Sequence, residues 1–210
     1  MATRHIIERG FDSVSVNDLA EDLGMSVGGL YRYIQTKSDL LVMACETIYG
    51  GLRERLAEIA TGSGQDLPEK LRLMIEAYIS ECVRNREQIL LMYREYRHLP
   101  QEAHRRYKER ELGIAGLFAD VIGAGIRQGV FGQVHVQVVA QDIVLMGHLP
   151  ALKGWALRGV ESDVVVAEQV ELVMARLTAG RGQGSSPARR AASTASCRLC
   201  APSLTRVDRR

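Results

Sequence analysis

Residues 15–37, SVNDLAEDLGMSVGGLYRYIQTK, constrain the fold more than any other part of the chain. The first half of this stretch carries four apolar residues at the spacing of one helix face, namely Val16, Leu19, Ala20 and Leu23. Gly24 tolerates the left-handed backbone that ends such a helix, and Ser26 stands where a side chain can cap the next one. Two short helices joined by a glycine-containing turn form a helix-turn-helix, so the pattern predicts this unit.

The predicted second helix, residues 27–34, has the features of a helix that enters a DNA groove. Its first turn has no carboxylate, and its two glycines let the backbone come close to a ligand, so its unpaired N–H groups favour phosphate. A purely structural helix pair is the alternative, but each glycine costs such a helix roughly 1 kcal/mol. We expect the inner face to hold Leu30, Tyr33 and Ile34. We expect the outer positions to be Val27, Gly28, Gly29, Tyr31 and Arg32.

Helical patterns fill the rest of residues 1–179, so the fold class is expected to be all-α, and residues 133–139 are the only strand-like stretch. Pro150 lies within a helical pattern, and we expect it to kink that helix or to split it after Leu149. Three pairs match a capping box or its acidic variant: Ser15 with Asp18, Thr36 with Asp39, and Asp66 with Glu69. The predicted helices are 2–9, 16–23, 27–34, 37–60, 67–85, 87–98, 101–128, 135–158 and 163–179.

Composition and charge exclude several classes of protein. No apolar run reaches the roughly 18 residues of a membrane-spanning helix, and the N-terminus lacks the apolar core of a signal peptide, so we expect a cytoplasmic protein without a membrane partner. Residues 180–210 carry a net charge of +6 within a total of +2, so the rest of the chain sums to −4. This Gly-, Ser- and Arg-rich tail is expected to be disordered, and the basic balance of the chain is therefore no argument for DNA binding.

The spacing of reactive side chains indicates neither a metal site nor catalysis. The four cysteines are too few for a disulfide scaffold, and the pair Cys197 and Cys200 lacks the second pair that a zinc site needs. No Gly-rich phosphate loop and no nucleophile elbow is present. We therefore expect no cofactor, no metal and no enzymatic activity.

Residues 10–41 resemble the DNA-binding domain of the TetR family of bacterial transcriptional regulators. The residues that carry the resemblance are Gly10-Phe11, Ser15, Asp18-Leu19-Ala20, Gly24-Met25-Ser26, Gly28, Leu30-Tyr31, Tyr33-Ile34 and Lys37. The resemblance implies a three-helix DNA-binding domain at 1–45 and a helical ligand-binding and dimerisation domain at 46–179, with the tail at 180–210. It also implies a homodimer that binds a palindromic operator in double-stranded DNA, usually as a repressor that a small-molecule effector releases.

The family's DNA contacts carry over residue by residue. Ser15 would cap its helix and touch a phosphate, Tyr31 would hydrogen-bond a phosphate, and Lys37 would contact the backbone. Arg32 would make the guanine contact that carries sequence preference. The full set of expected DNA-binding residues is Ser15, Ser26, Val27, Gly28, Gly29, Tyr31, Arg32 and Lys37.

One departure from the family keeps an alternative open. Met1 falls inside the first predicted helix, whereas family members usually have a longer basic lead-in. Residues 1–37 contain four Lys or Arg and five Asp or Glu. The alternative is therefore a ligand-binding or protein-interaction module with impaired DNA binding.

Residues 89–132 and 155–159 resemble the regulatory domain of family members that sense acyl-CoA thioesters. The residues that carry this resemblance are Tyr93-Arg94-Glu95, Arg97-His98-Leu99, Gly125, Gly129-Val130-Phe131 and Trp155-Ala156-Leu157-Arg158-Gly159. Each candidate ligand residue has a competing interpretation, as a core side chain or as part of a solvated arginine face. The candidates are Tyr78, Tyr93, Arg94, Arg97, Phe118, Ile122, Met146 and Trp155. The expected dimer seam is Leu145, Leu149, Leu152, Val166, Val170, Val173 and Leu177.

Overall fold

A computed structural model describes residues 15–22, 24–34 and 51–179, together with Ser13, Thr36 and Asp39. This part of the chain is all-helical and contains no β-strand, which confirms the expected fold class. The helices are α1 Val16–Asp22, α2 Val27–Leu30, α3 Leu52–Thr61, α4 Leu67–Arg84, α5 Arg86–Glu95, a 3-10 helix Tyr96–His98, α6 Gln101–Arg127, α7 Val136–Lys153 and α8 Ser162–Thr178. The predicted helix 2–9, Lys37 and the tail 180–210 lie outside the described residues.

The helix-turn-helix forms through the capping and turn residues that the sequence predicts. Asp18 N donates to Ser15 Oγ at 3.1 Å and Ser15 N donates back to Asp18 Oδ2 at 2.8 Å, which completes a capping box. Gly24 adopts φ +64°, and Met25 N donates to Ala20 O at 2.8 Å across the end of α1. This left-handed ending satisfies a terminal carbonyl of α1 and turns the chain toward α2.

Helix α2 differs from its prediction in length and in one facing residue. It ends at Leu30 rather than at residue 34, and the chain continues in turns, with Arg32 N donating to Gly29 O at 3.3 Å. Leu30 and Ile34 are buried as predicted, but Tyr33 is 72% exposed, so its assignment to the inner face is wrong. Because the chain runs in turns after Leu30, helical spacing no longer decides which side chains face inward, and Tyr33 extends into solvent.

One further helix prediction is corrected, and two points that the sequence left open are decided. The predicted helix 37–60 does not run through Gly51, whose φ of +71° is incompatible with an α-helix, and α3 begins at Leu52. The strand-like stretch 133–139 enters helix α7, because Val136, Val139, Ala140 and Ile143 share one packed helical face. Pro150 does not split α7 after Leu149, because the helix continues to Lys153.

Helix α4 lies at the centre of the bundle and packs against α3, α5, α6, α7 and α8. Its start is capped by Asp66, whose Oδ1 accepts from Glu69 N at 2.9 Å. Because other helices surround it, it is apolar on most of its circumference rather than on one stripe. Its buried residues are Leu71, Met74, Ile75, Ala77, Tyr78, Ile79 and Cys82.

Helix α7 approaches α4 most closely at Gly147. A Cβ atom at Gly147 would lie 2.4 Å from Tyr78 Cε1 and 3.0 Å from Cys82 Sγ, so only glycine fits without displacing these side chains of α4. At this crossing the Tyr78 hydroxyl donates to Val144 O at 3.0 Å. Gly147 therefore sets the separation of the two helices.

A second close contact joins Phe131 to Gly125 of α6. A Cβ at Gly125 would lie 2.0 Å from Phe131 Cδ2, and the N–H groups of Val130 and Phe131 both donate to Gly125 O. Gly129 adopts φ +72° in this turn. These residues carried part of the resemblance to acyl-CoA-responsive regulators, and in the structure they form the turn that follows α6 and packs back onto it.

Helix α8 compensates for the proline inside α7. Because Pro150 has no N–H, it cannot donate to Met146 O four residues earlier. Gln169 of α8 fills this role, because its Nε2 donates to Met146 O at 3.1 Å. Within the described residues, Gln169 Oε1 is buried and has no hydrogen-bond partner.

We expect the substitution Gly147→Ala to destabilise the protein by about 1–3 kcal/mol, because the added methyl group overlaps the Tyr78 ring. Gly116→Ala is the matched control, since a Cβ at Gly116 of α6 meets nothing within 4 Å. This control should be neutral or stabilising by up to about 1 kcal/mol through helix propensity. Urea unfolding measures both changes, and equal effects of the two substitutions would contradict the close approach at Gly147.

Candidate functional site

The segment expected to bind DNA begins with a cap that leaves its first turn open. Ser26 caps α2 by accepting from Gly29 N at 3.0 Å. Gly28 has no heavy atom within 4 Å of the place where a Cβ would stand, whereas a Cβ at Gly29 would meet Ser26 Oγ at 3.1 Å. The backbone at Gly28 is therefore exposed and open to contact from outside.

Tyr31 and Arg32 project from this segment into solvent, and the Tyr31 side chain is 51% exposed. Val27 is half-buried and packs against the core, so it offers less surface to a base edge than the outer-face prediction assumed. Lys37 lies outside the described residues. The two side chains best placed for contact with nucleic acid are thus a phenol and a guanidinium.

Ser15 is occupied by its own capping box. Its N–H and its hydroxyl both donate to Asp18 Oδ2, at 2.8 and 2.7 Å. A contact from Ser15 to a phosphate would have to replace one of these bonds and approach the Asp18 carboxylate. The phosphate contact of Ser15 therefore stays a prediction, and it would require the loss of one hydrogen bond to Asp18.

A polar cluster of five side chains lies where α4, α5, α6 and α7 meet, and we call it the His148 cluster. The imidazole of His148 is buried, with Tyr78 Oη 3.2 Å from its Nε2 and Tyr93 Oη 2.9 Å from its Nδ1. Glu111 Oε1 accepts from the Tyr107 hydroxyl at 2.8 Å and lies 3.9 Å from His148 Nε2. The cluster thus links side chains of four helices.

The hydrogen bonds of Tyr78 determine which nitrogen of His148 carries the proton. The single hydroxyl hydrogen of Tyr78 goes to Val144 O, so Tyr78 Oη can only accept from the imidazole. His148 is therefore protonated on Nε2, and its Nδ1 accepts from the Tyr93 hydroxyl. Each donor in this series of bonds has an acceptor, as buried polar groups require.

Burial keeps the inner groups of this region neutral. It lowers the pKa of His148 to about 4 and raises the pKa of the Cys82 thiol to about 12. Burial also raises the pKa of the Tyr78 and Tyr93 hydroxyls above their ordinary value. Near neutral pH, His148 is therefore an uncharged hydrogen-bonding group rather than a cation.

The eight candidate ligand residues fall into separate environments. Tyr78 and Tyr93 meet through His148, whereas Phe118 and Ile122 are fully buried core residues, and Phe118 packs edge-on against Tyr78. Trp155 is 70% exposed beyond the end of α7. Met146 is half-buried on α7, Arg97 donates to His98 Nε2 at 3.0 Å, and Arg94 is exposed.

Sequence reasoning did not find three members of the cluster, His148, Glu111 and Tyr107. Their partners come from other helices, and Tyr78 and His148 are 70 positions apart in the chain. The available signal was a histidine inside the apolar stretch VLMGHLP of a predicted helix. A lone histidine among core residues requires partners, because an unsatisfied buried polar group is costly.

Helices α7 and α8 each carry exposed apolar side chains, and we call these side chains together the apolar strip. On α7, Leu145 and Leu149 are exposed as the dimer-seam prediction requires, and Leu152 is half-buried. On α8, the predicted seam residues are instead buried in this chain's own core: Val166, Val170, Val173 and Leu177. The helical pattern of α8 has two apolar sides, and the outward one carries Val164 and Leu172, which are 50% and 60% exposed.

The described residues were compared with the requirements of a metal site and of a membrane-spanning helix. No group of three or more His, Cys, Asp or Glu side chains within them could hold a metal ion. None of the helices described is both long and apolar enough to cross a membrane.

Two family models match the chain. The model of bacterial regulatory proteins of the tetR family matches residues 1–44, and the model of the tetracyclin repressor-like C-terminal domain matches residues 64–155. The regulator HbdR of Aromatoleum sp. (strain CIB) is 23% identical over 155 residues, which span 74% of this chain and 67% of HbdR. The regulator PksA of Bacillus subtilis (strain 168) is 29% identical over 73 residues, which span 35% of this chain and only 36% of PksA.

Solved structures share the fold at low sequence identity. The TetR family regulator PfmR from Thermus thermophilus superposes with a TM-score of 0.74 at 21% identity, over 82% of this chain and 94% of PfmR. AibR, solved in complex with isovaleryl coenzyme A and operator DNA, superposes with a TM-score of 0.68 at 20% identity, over 81% of this chain and 92% of AibR. At these identities the likeness establishes the fold.

We expect the stability of the protein to fall as the pH is lowered through the range in which only unfolded His148 takes up a proton. The ordinary pKa of 6.5 applies to the unfolded chain, and the folded value is about 4, so stability is retained above pH 6.5 and lost toward pH 4. Between pH 7 and pH 5 the His148 contribution amounts to about 2 kcal/mol. Urea unfolding at both pH values measures this loss.

His148→Gln isolates this effect, because glutamine can still donate to Tyr78 and accept from Tyr93. The variant should lose the His148 share of the pH dependence, whereas His135→Gln, at an exposed position before α7, should retain it. An unchanged pH dependence in His148→Gln would show that the buried imidazole does not set this slope.

Proposed function

Since the chain belongs to the TetR family of bacterial transcriptional regulators, we propose that it binds a palindromic operator as a homodimer and is released by a small-molecule effector. The recognition helices of the dimer would enter successive major grooves about 34–36 Å apart. Repression is the family's ordinary mode, and no catalytic activity is part of this proposal.

The observation that carries the DNA-binding proposal is the exposed start of α2. Its first turn has no carboxylate and is open at Gly28, and Tyr31 and Arg32 stand beside it in solvent. The unpaired N–H groups of a helix start favour phosphate, and Arg32 can make the paired hydrogen bonds that distinguish guanine. Lys37 and Ser15 are proposed backbone contacts, and Ser26, Val27 and Gly29 complete the proposed interface.

The exposed apolar strip of α7 and α8 supports the homodimer. Leu145, Leu149, Val164 and Leu172 would be covered by the same strip of a second copy, as in a two-fold symmetric interface. The proposed domains are the DNA-binding residues 1–45, the ligand-binding and dimerisation residues 46–179 and the basic tail 180–210. The tail would add salt-sensitive, sequence-independent attraction to DNA.

The proposed effector is an acyl-CoA thioester, the class to which the ligand solved with AibR belongs. In this chain the support comes from the His148 cluster, because Tyr93 is half-exposed and joins the interior to the surface. A ligand that hydrogen-bonds Tyr93 or Glu111 would compete with the bonds that hold four helices together. It must bind one helix arrangement more tightly than another to change operator affinity.

We expect Tyr31→Phe to weaken binding to all DNA sequences by about tenfold, because one hydrogen bond to a charged phosphate is lost. Arg32→Ala should instead reduce the discrimination between operator and mutated operator by about 1–3 kcal/mol per half-site. Both affinities are measured by gel shift on an operator selected from random DNA with the 1–210 chain. Adding isovaleryl coenzyme A to the same assay tests release by an acyl-CoA.

Two variants serve as controls for the DNA experiment. Tyr33→Phe removes the hydroxyl of a tyrosine that is also exposed and that lies outside the proposed interface, and Arg127→Ala removes an exposed arginine at the end of α6, so neither should change operator binding. If Tyr31→Phe and Arg32→Ala bind like the unchanged chain, the recognition-helix assignment is wrong. If the unchanged chain selects no sequence, the alternative of a ligand-binding module with impaired DNA binding is favoured.

The dimer is tested by Leu172→Glu, which we expect to raise the dimer dissociation constant at least about tenfold, because a carboxylate would be buried against an apolar strip. Leu112→Glu is the matched control, since Leu112 of α6 is 62% exposed and Leu172 is 60% exposed. Sedimentation equilibrium measures both variants. Equal dissociation constants for the two would place the interface on another surface.

A further inference from the structure

A cavity of about 450 Å³ opens at the end of the bundle where α4 and α7 end and α5 and α8 begin. It lies apart from the His148 cluster, because none of the five cluster side chains lines it. Its volume falls in the range of ordinary small-molecule sites. Of the candidate ligand residues, Trp155 lines it.

The lining combines an apolar surface with two guanidinium groups. Val83, Trp155, Val160 and Val165 provide apolar contact area. Arg86 and Arg158 also line the cavity, and no aspartate or glutamate is among its lining residues. Lys153 adds a third positive charge nearby, with its Nζ 5.5 Å from the centre of the Trp155 ring.

The turn that carries Trp155 and Arg158 is held by its own hydrogen bonds. Ala156 N donates to Lys153 O at 2.8 Å, and Val160 N donates to Leu157 O at 3.0 Å. Gly154 packs so tightly that a Cβ there would lie 2.7 Å from Pro150 O. A preformed wall of this kind lowers the ordering cost of binding.

From this geometry we propose that the cavity is a second ligand site and binds an amphipathic carboxylate. The apolar body of the ligand contacts Trp155, Val160 and Val165, and its carboxylate accepts hydrogen bonds from Arg86 and Arg158. The planar guanidinium group matches a carboxylate in shape and charge, and the valines and Trp155 offer apolar surface that a ligand without an apolar body would leave uncovered. This assignment does not depend on the proposed DNA binding.

Trp155 is the only tryptophan of the chain, so its fluorescence reports directly on this cavity. Titration of the full-length chain with octanoate should change the Trp155 emission saturably, and calorimetry with octanoate should give the same dissociation constant. The uncharged analogue 1-octanol should bind at least about tenfold more weakly, because it lacks the charge-assisted hydrogen bonds.

Substitutions separate this site from the rest of the protein. Arg86→Gln and Arg158→Gln should each weaken octanoate binding about tenfold, and Val165→Phe should abolish it by filling the cavity. Arg127→Gln, at the far end of α6, and His148→Gln should leave octanoate binding unchanged. Far-UV circular dichroism verifies that each variant keeps its helical content.

Three results would overturn the proposal. The first is neither an emission change nor a calorimetric signal at millimolar octanoate. The second is equal binding of octanoate and 1-octanol. The third is octanoate binding that depends on His148 but not on Arg86 and Arg158. Loss of operator binding in the DNA experiment would leave this site unaffected, so the two proposals fail independently.

Discussion

The close crossing of α4 and α7 at Gly147 is the contact on which the rest of the helical body depends. Helix α4 packs against α3, α5, α6, α7 and α8, so a change in its distance from α7 would disturb its other contacts as well. With no side chain at Gly147, the Tyr78 ring fills the space and its hydroxyl reaches Val144 O. The same approach brings His148, the next residue along α7, against Tyr78.

The His148 cluster turns this packing contact into a connected set of hydrogen bonds. Because the Tyr78 hydroxyl donates to Val144 O, it must accept from His148 Nε2. His148 Nδ1 then accepts from the Tyr93 hydroxyl. A displacement of any of the four helices must stretch a bond in this set. A ligand that binds Tyr93 at the surface would therefore act on helix positions as well as on one side chain.

The sequence predicted those features that depend on neighbouring residues. The capping box of Ser15, the left-handed Gly24 and the helical periodicity of α4 are all local, and each is found in the structure. Gly51 was missed because nothing local distinguishes a glycine inside a helix from one that interrupts it. The connections of the His148 cluster were missed because its members come from distant segments, which only the packed bundle brings together. Trp155 was named from the sequence, but its cavity also needs Val83 and Arg86 from a distant part of the chain. The two apolar sides of α8 could not be told apart from periodicity alone, so the inward valines were assigned to the dimer seam.

The bond from Gln169 to Met146 O limits how α7 and α8 can move relative to each other. Sliding α8 along α7 would leave the carbonyl that faces Pro150 without a donor in the protein interior, at a cost of about 1–3 kcal/mol. A rigid-body rotation of the two helices together keeps the bond intact. A single proline in α7 thus makes the position of α8 along α7 depend on one side-chain hydrogen bond.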